Sequence, residues 1–381
     1  MPTTDVLFAL TGDVRRNSRA LKQLRALGGM GLDTTVLTLG AGPTPPDLPN
    51  VQLVSVELPP ARGPRHFWNV HRVFKQHAEQ FSARVYHASD LYVLHALHQA
   101  RQHRHSSAKL VYDARECYPH VASTAGRPWV TAVWERVERR GLRHTNAVFT
   151  VSDSIADWMA ATYGGRRPQL MHNVPAYQSV ARTNYLREHL DLSEDIPIVL
   201  HQGQMRKHRG CGWLVEAMAH VPGAHLVFLG RGAEQLVLEA RADAIGISPR
   251  VHFMPPVPPD ALLRVTTSAD IGVTLLEDVC LNHRYALPNK LFEYIMAGLP
   301  VVASDLPECR RVVVPSGVGQ VVEPTDTAQL AATLREMLAH RADWRRQVRQ
   351  GASAVFETFS WEAASQRLTE TYAALLAGET L

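Results

Sequence analysis

Between Leu287 and Asp305 the chain reads LPNKLFEYIMAGLPVVASD, and Lys290 and Glu293 stand one helical turn apart in it. Leu291, Phe292 and Ile295 recur at helical spacing and form an apolar stripe. Lys290 and Glu293 therefore share the other face. Pro288 suits a first helical turn, where a missing N–H costs nothing. Gly298 and Pro300 stop the helix, and VVAS is the next buried strand. The helix start at Asn289–Lys290–Leu291 offers unpaired N–H groups and a positive dipole end, and Lys290 adds a full charge. This is anion-binding chemistry and suits a diphosphate. Glu293, one turn in, can accept two hydrogen bonds from vicinal hydroxyls such as those of a ribose. The alternative is a surface helix with a solvated Lys and Glu.

A second segment, HQGQMRKHRGCGW (His201–Trp213), ends a strand at Gly203. Arg206, Lys207 and Arg209 follow in a loop that leads into a helix with Trp213, Leu214, Ala217 and Met218 on one side. Cations at a strand-to-helix loop suit phosphate; a solvated basic loop is the plainer reading. Gly230–Gly232 (GRG) falls short of a GxGxxG fingerprint. In the first half, TGDVRRNSR (Thr11–Arg19) opens a helix after the first strand. There Gly12, with Arg15, Arg16 and Arg19, can approach an anion or an acceptor, or simply form an exposed basic helix start. YHASD (Tyr86–Asp90) and YDARECY (Tyr112–Tyr118) also follow strands and should turn polar residues toward a ligand. A lone histidine such as His87 is more often structural than catalytic. Asp113, Arg115 and Glu116 form either part of a site or a self-satisfied ion cluster.

The elements that must position these residues alternate along the chain. Strands are expected at Val6–Leu10, Thr35–Leu39, Val51–Val54, Val85–His87, Leu110–Tyr112 and Ala147–Val151, with helical patterns between them. Pro175 to Pro197 breaks this rhythm and is the expected hinge. The alternation restarts with strands at Ile198–His201, His225–Leu229, Val251–Met254, Ile271–Thr274, Val301–Ala303 and Gly319–Val322. Such βα alternation implies an α/β architecture of two doubly wound, Rossmann-like domains facing a central cleft, with ligands beyond the carboxyl ends of the strands. The expected boundaries are 1–183 and 184–358, with a last helix in 359–381.

Composition narrows the class. The chain has 381 residues, 45% of them hydrophobic, which is comfortable for two soluble domains. Its formal charge of +4 is too weak a field for a nucleic-acid partner. Cys117, Cys211, Cys280 and Cys309 are far apart, which argues for a reducing compartment and against zinc. No uncharged apolar run approaches the ~18 residues of a membrane span, and no signal pattern opens the chain, so a cytoplasmic protein is expected. Only five of the 40 cations are lysines, so a lysine at position 290 is not the default choice. Arg127 to Arg143 is rich in arginine and carries Trp129 and Trp134; with Phe67 and Trp68 it can rest peripherally on the inner membrane face. The alternative places those tryptophans in the core.

Taken together, these segments resemble the retaining glycosyltransferases of family 4 (group 1 type), with the GT-B fold. LPNKLFEYIMAGLPVVASDLPE (Leu287–Glu308) carries most of the likeness. VYDARE (Val111–Glu116), VSDSIADWM (Val151–Met159), HNVP (His172–Pro175), GQMRKHRG (Gly203–Gly210) and the stretch from Trp361 to Tyr372 support it. The resemblance implies transfer of a hexosyl-type sugar from a UDP- or GDP-sugar to a sugar or lipid-linked acceptor, in cell-surface polysaccharide or glycoconjugate synthesis. It implies no metal and no cofactor, an acceptor-binding domain in 1–183, a nucleotide-sugar-binding domain in 184–358 and a last helix in 359–381 that packs back on the first domain. Glu293 would bind the donor ribose, and Arg209 and Lys290 the diphosphate. Gly203, Asn289, Leu291 and Tyr285 complete the expected donor contacts, with Gly12 from the first domain. Arg209, Lys290 and Arg115 are the catalytic candidates. Three positions depart from the family pattern: Tyr285 replaces a common glutamate, Gln204 a common arginine and Arg115 a histidine. A sugar-nucleotide epimerase or a phosphorylase of the same fold, or a non-catalytic sugar-nucleotide-binding subunit, are the competing readings.

Overall fold

The structure, a computed structural model, describes residues 2–40, 42–104 and 106–379. The chain forms two units. One runs to His172 and takes in the C-terminal segment from Glu362; the other is Asn173–Trp361.

The first unit is built on seven parallel strands: β1 (Thr3–Ala9), β2 (Thr34–Leu39), β3 (Val51–Val56), β4 (Ser82–Ala88), β5 (Lys109–Ala114), β6 (Ala147–Thr150) and β7 (Gln169–Leu170). Their order is β3-β2-β1-β4-β5-β6-β7. Val6 of β1 pairs with Thr34 on one side and Val85 on the other. Val6 to Leu10 are fully buried, as expected of a parallel strand covered on both faces. The order reverses between β1 and β4. Asp90, buried just after β4, ties that junction together by accepting from the Thr11 backbone N–H (2.7 Å) and hydroxyl (2.8 Å).

The second unit repeats the plan with β8 (Ile198–Gln202), β9 (His225–Leu229), β10 (Val251–Met254), β11 (Ile271–Thr274), β12 (Val301–Ser304) and β13 (Gly319–Val322), in the order β10-β9-β8-β11-β12-β13. Alternate residues feed two apolar layers. Leu200, Val227 and Val301 join Phe292 and Ile295 on one face. Val199, Phe228 and Val302 join Leu214, Met218 and Leu334 on the other. The second sheet has the 3-2-1-4-5-6 order of a dinucleotide-binding fold, and the first has the same order with β7 added at its edge; ligands of such folds gather where the order reverses.

The units divide at His172/Asn173, before the expected boundary at 183. The reason lies in the segment expected as a hinge. Val174 and Leu186 are fully buried in the core of the second unit, and Tyr185–Leu190 is a short helix. Arg187 pins it there by donating to the carbonyls of Ser268 (2.6 Å) and Ile196 (2.7 Å) and to the Asp270 carboxylate. Polar anchors of this kind leave no hydrophobic periodicity. At the other end, the helix Trp361–Leu376 sets Tyr372 against β4, where its hydroxyl lies 2.7 Å from His87 Nδ1. Burial pushes His87 down to about 4, so it sits there neutral, stacked on Phe8. This is a packing role.

The basic helix start after β1 is also structural in large part. Arg19 is buried and clamps Asp113 with two bonds of 2.8 and 2.6 Å, and donates to the Met171 carbonyl at 2.6 Å. Arg15 is held by Asp13 at 2.8 Å. Besides Tyr185–Leu190, the unforeseen elements include the four-residue helix Leu281–Arg284, β7, only two residues long, and the helix Pro307–Ser316, whose valine run and two prolines imitate a loop-flanked strand.

Candidate nucleotide-sugar site

The helix Asn289–Met296 follows Pro288, whose extended backbone serves as the N-cap, and no side chain caps the helix. Its end is a Schellman closure: Leu299 N donates to Tyr294 O (2.9 Å) and Gly298 N to Ile295 O (3.0 Å). Leu291, Phe292, Tyr294 and Ile295 are buried, while Lys290 and Glu293 lie half-buried on the remaining face.

This helix start meets the carboxyl end of β8 at the point where the strand order reverses. Gly203 lies beside Lys290, a Cβ there standing at an ordinary contact distance of 3.5 Å from Nζ, and its φ of 108° is what favours glycine. The loops after β8 and β9 pack more tightly, because a Cβ on Gly230 would lie 2.0 Å from the Gly203 carbonyl oxygen. Glycine here lets backbone crowd backbone at the mouth of the sheet.

Arg209 lies half-buried in the loop between β8 and the helix Cys211–Ala219, while Arg206 and Lys207 are exposed. The loop is strapped down by the segment after β11. Glu277 N donates to His208 O at 3.2 Å, and Glu277 Oε2 lies 2.9 Å from His208 Nδ1. The helix Cys211–Ala219 also begins without a side-chain cap, on Gly210. Two uncapped helix starts and two cations thus converge on one strand junction. Burial and then the charge of Arg209 lower the Lys290 ammonium to about 8. His201, buried behind them, is driven well below its ordinary range by burial and by the same two cations, so it is neutral. A neutral, desolvated wall behind two positive charges makes them stronger toward an incoming anion.

Glu293 is fixed from below. Gln202 Nε2 donates to Glu293 Oε2, and Thr266 Oγ1 donates to Gln202 Oε1 at 2.9 Å. The Gln202 backbone N–H donates to the Tyr294 hydroxyl at 2.9 Å. That ring lies directly on Gly272 of β11, where a Cβ would come within 2.2 Å of it. None of Gln202, Thr266 or Tyr294 was singled out from sequence. The one available signal was a glycine inside an otherwise bulky strand, which marks a close approach.

The remaining candidates are placed as follows. Tyr285 closes the short helix Leu281–Arg284 ahead of Pro288 and is half-buried. Arg115 and Gly12 belong to the first unit. Arg115 donates to the Tyr118 hydroxyl at 3.2 Å and lies 3.7 Å from Asp90, while Asp113 is bound by Arg19, so Arg115 and Asp113 of the cluster after β5 are paired with charges from other segments. Gly12 lies in the loop after β1 with open space at its Cα, its carbonyl accepting from Thr38 Oγ1 at 2.8 Å. Among the described residues, no three His, Cys, Asp or Glu side chains are grouped as a metal would require.

Two family models match the chain. Residues 17–176 match a glycosyl transferase 4-like domain, and residues 196–340 match the glycosyl transferases group 1 domain. The chain belongs to the family 4, group 1 type glycosyltransferases. A D-inositol 3-phosphate glycosyltransferase of Xylanimonas cellulosilytica is 32% identical over 201 residues, which are 51% of this chain and 46% of that protein. A phosphatidyl-myo-inositol mannosyltransferase of Mycobacterium leprae is 26% identical over 258 residues, 65% of this chain and 60% of the relative. The matched part thus spans about half the length of the first of these relatives. Among solved structures, a sucrose-phosphate synthase from Thermosynechococcus elongatus superposes with a TM-score of 0.79 at 20% identity and covers 100% of both chains. Anabaena HepE in complex with UDP-glucose gives 0.75 at 16% identity, over 97% of this chain and 100% of the other. The fold is GT-B, and each half of this glycosyltransferase-family chain is a parallel-sheet, Rossmann-like domain.

Proposed function

We propose that this protein transfers a glycosyl group from a nucleoside-diphosphate sugar, with UDP or GDP as the carrier, to an acceptor hydroxyl with retention of configuration. The observation that carries the reading is the meeting of Lys290, Arg209 and two uncapped helix starts at the carboxyl end of β8, with Glu293 one turn further on. Diphosphate would sit against the cations and the helix starts, and the ribose diol against Glu293. The relatives are named for glycosyl transfer involving inositol phosphate and phosphatidyl-inositol, which supports the reaction class, and the HepE structure contains UDP-glucose, which supports a nucleotide-sugar donor.

The chemical task is charge separation between an oxocarbenium-like sugar and a departing diphosphate. Lys290, Arg209 and the backbone N–H groups supply the positive field that receives the leaving group, so the proposed reaction calls on no metal or cofactor. The leaving phosphate would take the acceptor proton, which relieves the protein of supplying a base. Thermal unfolding with UDP, GDP, ADP and their sugars tests the donor class. A ligand at 100 times its dissociation constant adds about 2.7 kcal/mol, so one carrier should raise the melting temperature clearly. A flat response to all of them removes the proposal. Product analysis without acceptor then separates transfer from epimerisation.

The acceptor would be lipid-linked and met at the cytoplasmic face of a membrane, in glycolipid or cell-surface polysaccharide synthesis. Trp129 (67% exposed) and Val133 (53%) lie one turn apart on the helix Pro128–Leu142 and share a stripe with the exposed Arg136 and Arg140. Trp68 (60% exposed) stands beside Arg72 on Pro64–Ala78. Trp134, by contrast, packs against Phe67 and Tyr92. Exposed tryptophans among arginines suit an anionic interface. Sedimentation with phosphatidylglycerol vesicles should capture the protein, and W68A/W129A should release it. Equal recovery with neutral vesicles, or no capture, contradicts this part. Among the described residues, no helix is long and apolar enough to cross a membrane.

A further inference from the structure

Gln202 is a buried glutamine (3% exposed) at the end of a strand whose other residues are all buried. A side-chain amide in such a place must find partners, and its partners fix which way it points. Glu293 is an acceptor when ionised, so the Gln202 group that faces it has to be the N–H. The amide oxygen then faces Thr266, whose hydroxyl donates to it at 2.9 Å. The reverse orientation would set the Gln202 carbonyl oxygen against the carboxylate. Thr266 is itself fully buried, and its single hydroxyl hydrogen is shared between the Gln202 oxygen and the Leu262 carbonyl of its own helix, 2.8 Å away. The order Thr266–Gln202–Glu293 is therefore directional and runs from the core to the half-buried carboxylate.

We propose that Gln202, oriented by Thr266, is the positioning residue that aims the Glu293 carboxylate at the ribose diol of the donor. This rests on the nucleotide-sugar reading of the site and deepens it. Without the amide, a glutamate one turn into a helix has several rotamers and can swing toward Lys290. With it, one carboxylate oxygen is held at the carboxyl end of β8. A carboxylate offers about four acceptor positions, so a diol can be received alongside the Gln202 N–H. Gln202 does not touch the donor; it acts through Glu293. Its effect should appear in recognition of the ribose hydroxyls rather than in the chemical step.

The test uses the full chain and compares whichever of UDP, GDP and ADP binds it most tightly with the 2′-deoxy form of that nucleotide. A hydrogen bond to a charged group is worth about a factor of ten or more in affinity, so the unaltered protein should prefer the ribonucleotide by roughly tenfold. In Gln202→Leu this preference should collapse toward unity, with KM for the donor raised about tenfold and kcat changed less than threefold. Thr266→Val, which keeps shape and removes the hydroxyl, should lose most of the preference, and Thr266→Ser should restore it. Thr266→Val also serves if Gln202→Leu does not fold. Preference retained in Gln202→Leu or Thr266→Val overturns the positioning role. Equal binding of ribo and deoxy forms by the unaltered protein removes Glu293 as the diol acceptor, and the inference with it. Failure of all three nucleotides to bind is a different result and refutes the nucleotide-sugar reading itself.

Discussion

Lys290→Ala is expected to lower turnover by about 10²–10³-fold, the cost of removing one preorganised donor from a site of developing negative charge. The loss should fall on kcat more than on folding. Burial and Arg209 hold the Lys290 ammonium at about 8, so in the empty protein the positive charge is maintained against its surroundings. The folded pKa lies below the unfolded one, so charging Lys290 at neutral pH opposes folding, and the penalty fades as pH rises past 8. Lys290→Ala should therefore leave the melting temperature of the empty protein at pH 7 unchanged or a few degrees higher, while activity falls. A variant that lost activity and stability together would indicate that Lys290 holds the structure and not the diphosphate.

Asp270→Asn should have the largest effect on stability. Asp270 is fully buried at the amino end of β11, and three arginines converge on it. Arg187 donates to Oδ2, Arg182 lies 3.2 Å and Arg345 3.3 Å from Oδ1, and Ile198 N donates to Oδ2 at 2.9 Å. Asparagine keeps the shape but removes the charge, which leaves Arg187 and Arg345 buried without a counter-ion. Burial and neighbouring Arg182 already pull Arg345 down to about 10. Breaking a buried pair from one side costs about 3–5 kcal/mol. For a domain of this size, that corresponds to a fall in melting temperature of roughly 6–20 °C. Calorimetry checks it, and a shift of less than about 3 °C would show that the arginines find other partners.

These two residues also mark how far the sequence could be read. The helix carrying Lys290 was legible because its apolar stripe, the leading Pro288 and the closing Gly298 all act locally. The same holds for β9, β10, β11 and β13, whose limits coincide with the valine- and leucine-rich runs. Asp270 was not legible. It stands in SADIGV with no sign that Arg187, 83 positions earlier, and Arg345 will reach it. Arg19 looked like a free cation and proved to be bound to Asp113, 94 positions away. Gln202 stayed unnoticed beside Gly203 for the same reason. Hydrophobic periodicity reports which face of an element is buried, whereas the pairing of buried polar groups is settled only when distant segments meet. Hence the helix start that carries Lys290 and Glu293 was visible from sequence, and the polar network beneath Glu293 was not.

Calorimetric titration of UDP and GDP into the unaltered protein and Lys290→Ala, at pH 7 and at pH 9, tests most directly whether this helix start holds the diphosphate. The unaltered protein should bind one of them at pH 7 and weaken by up to about tenfold at pH 9, as the free ammonium loses its proton above 8. Lys290→Ala should bind about tenfold or more weakly at pH 7 and show little change at pH 9. Equal affinities in the two proteins, with the same pH dependence, would contradict the assignment of the diphosphate to Lys290.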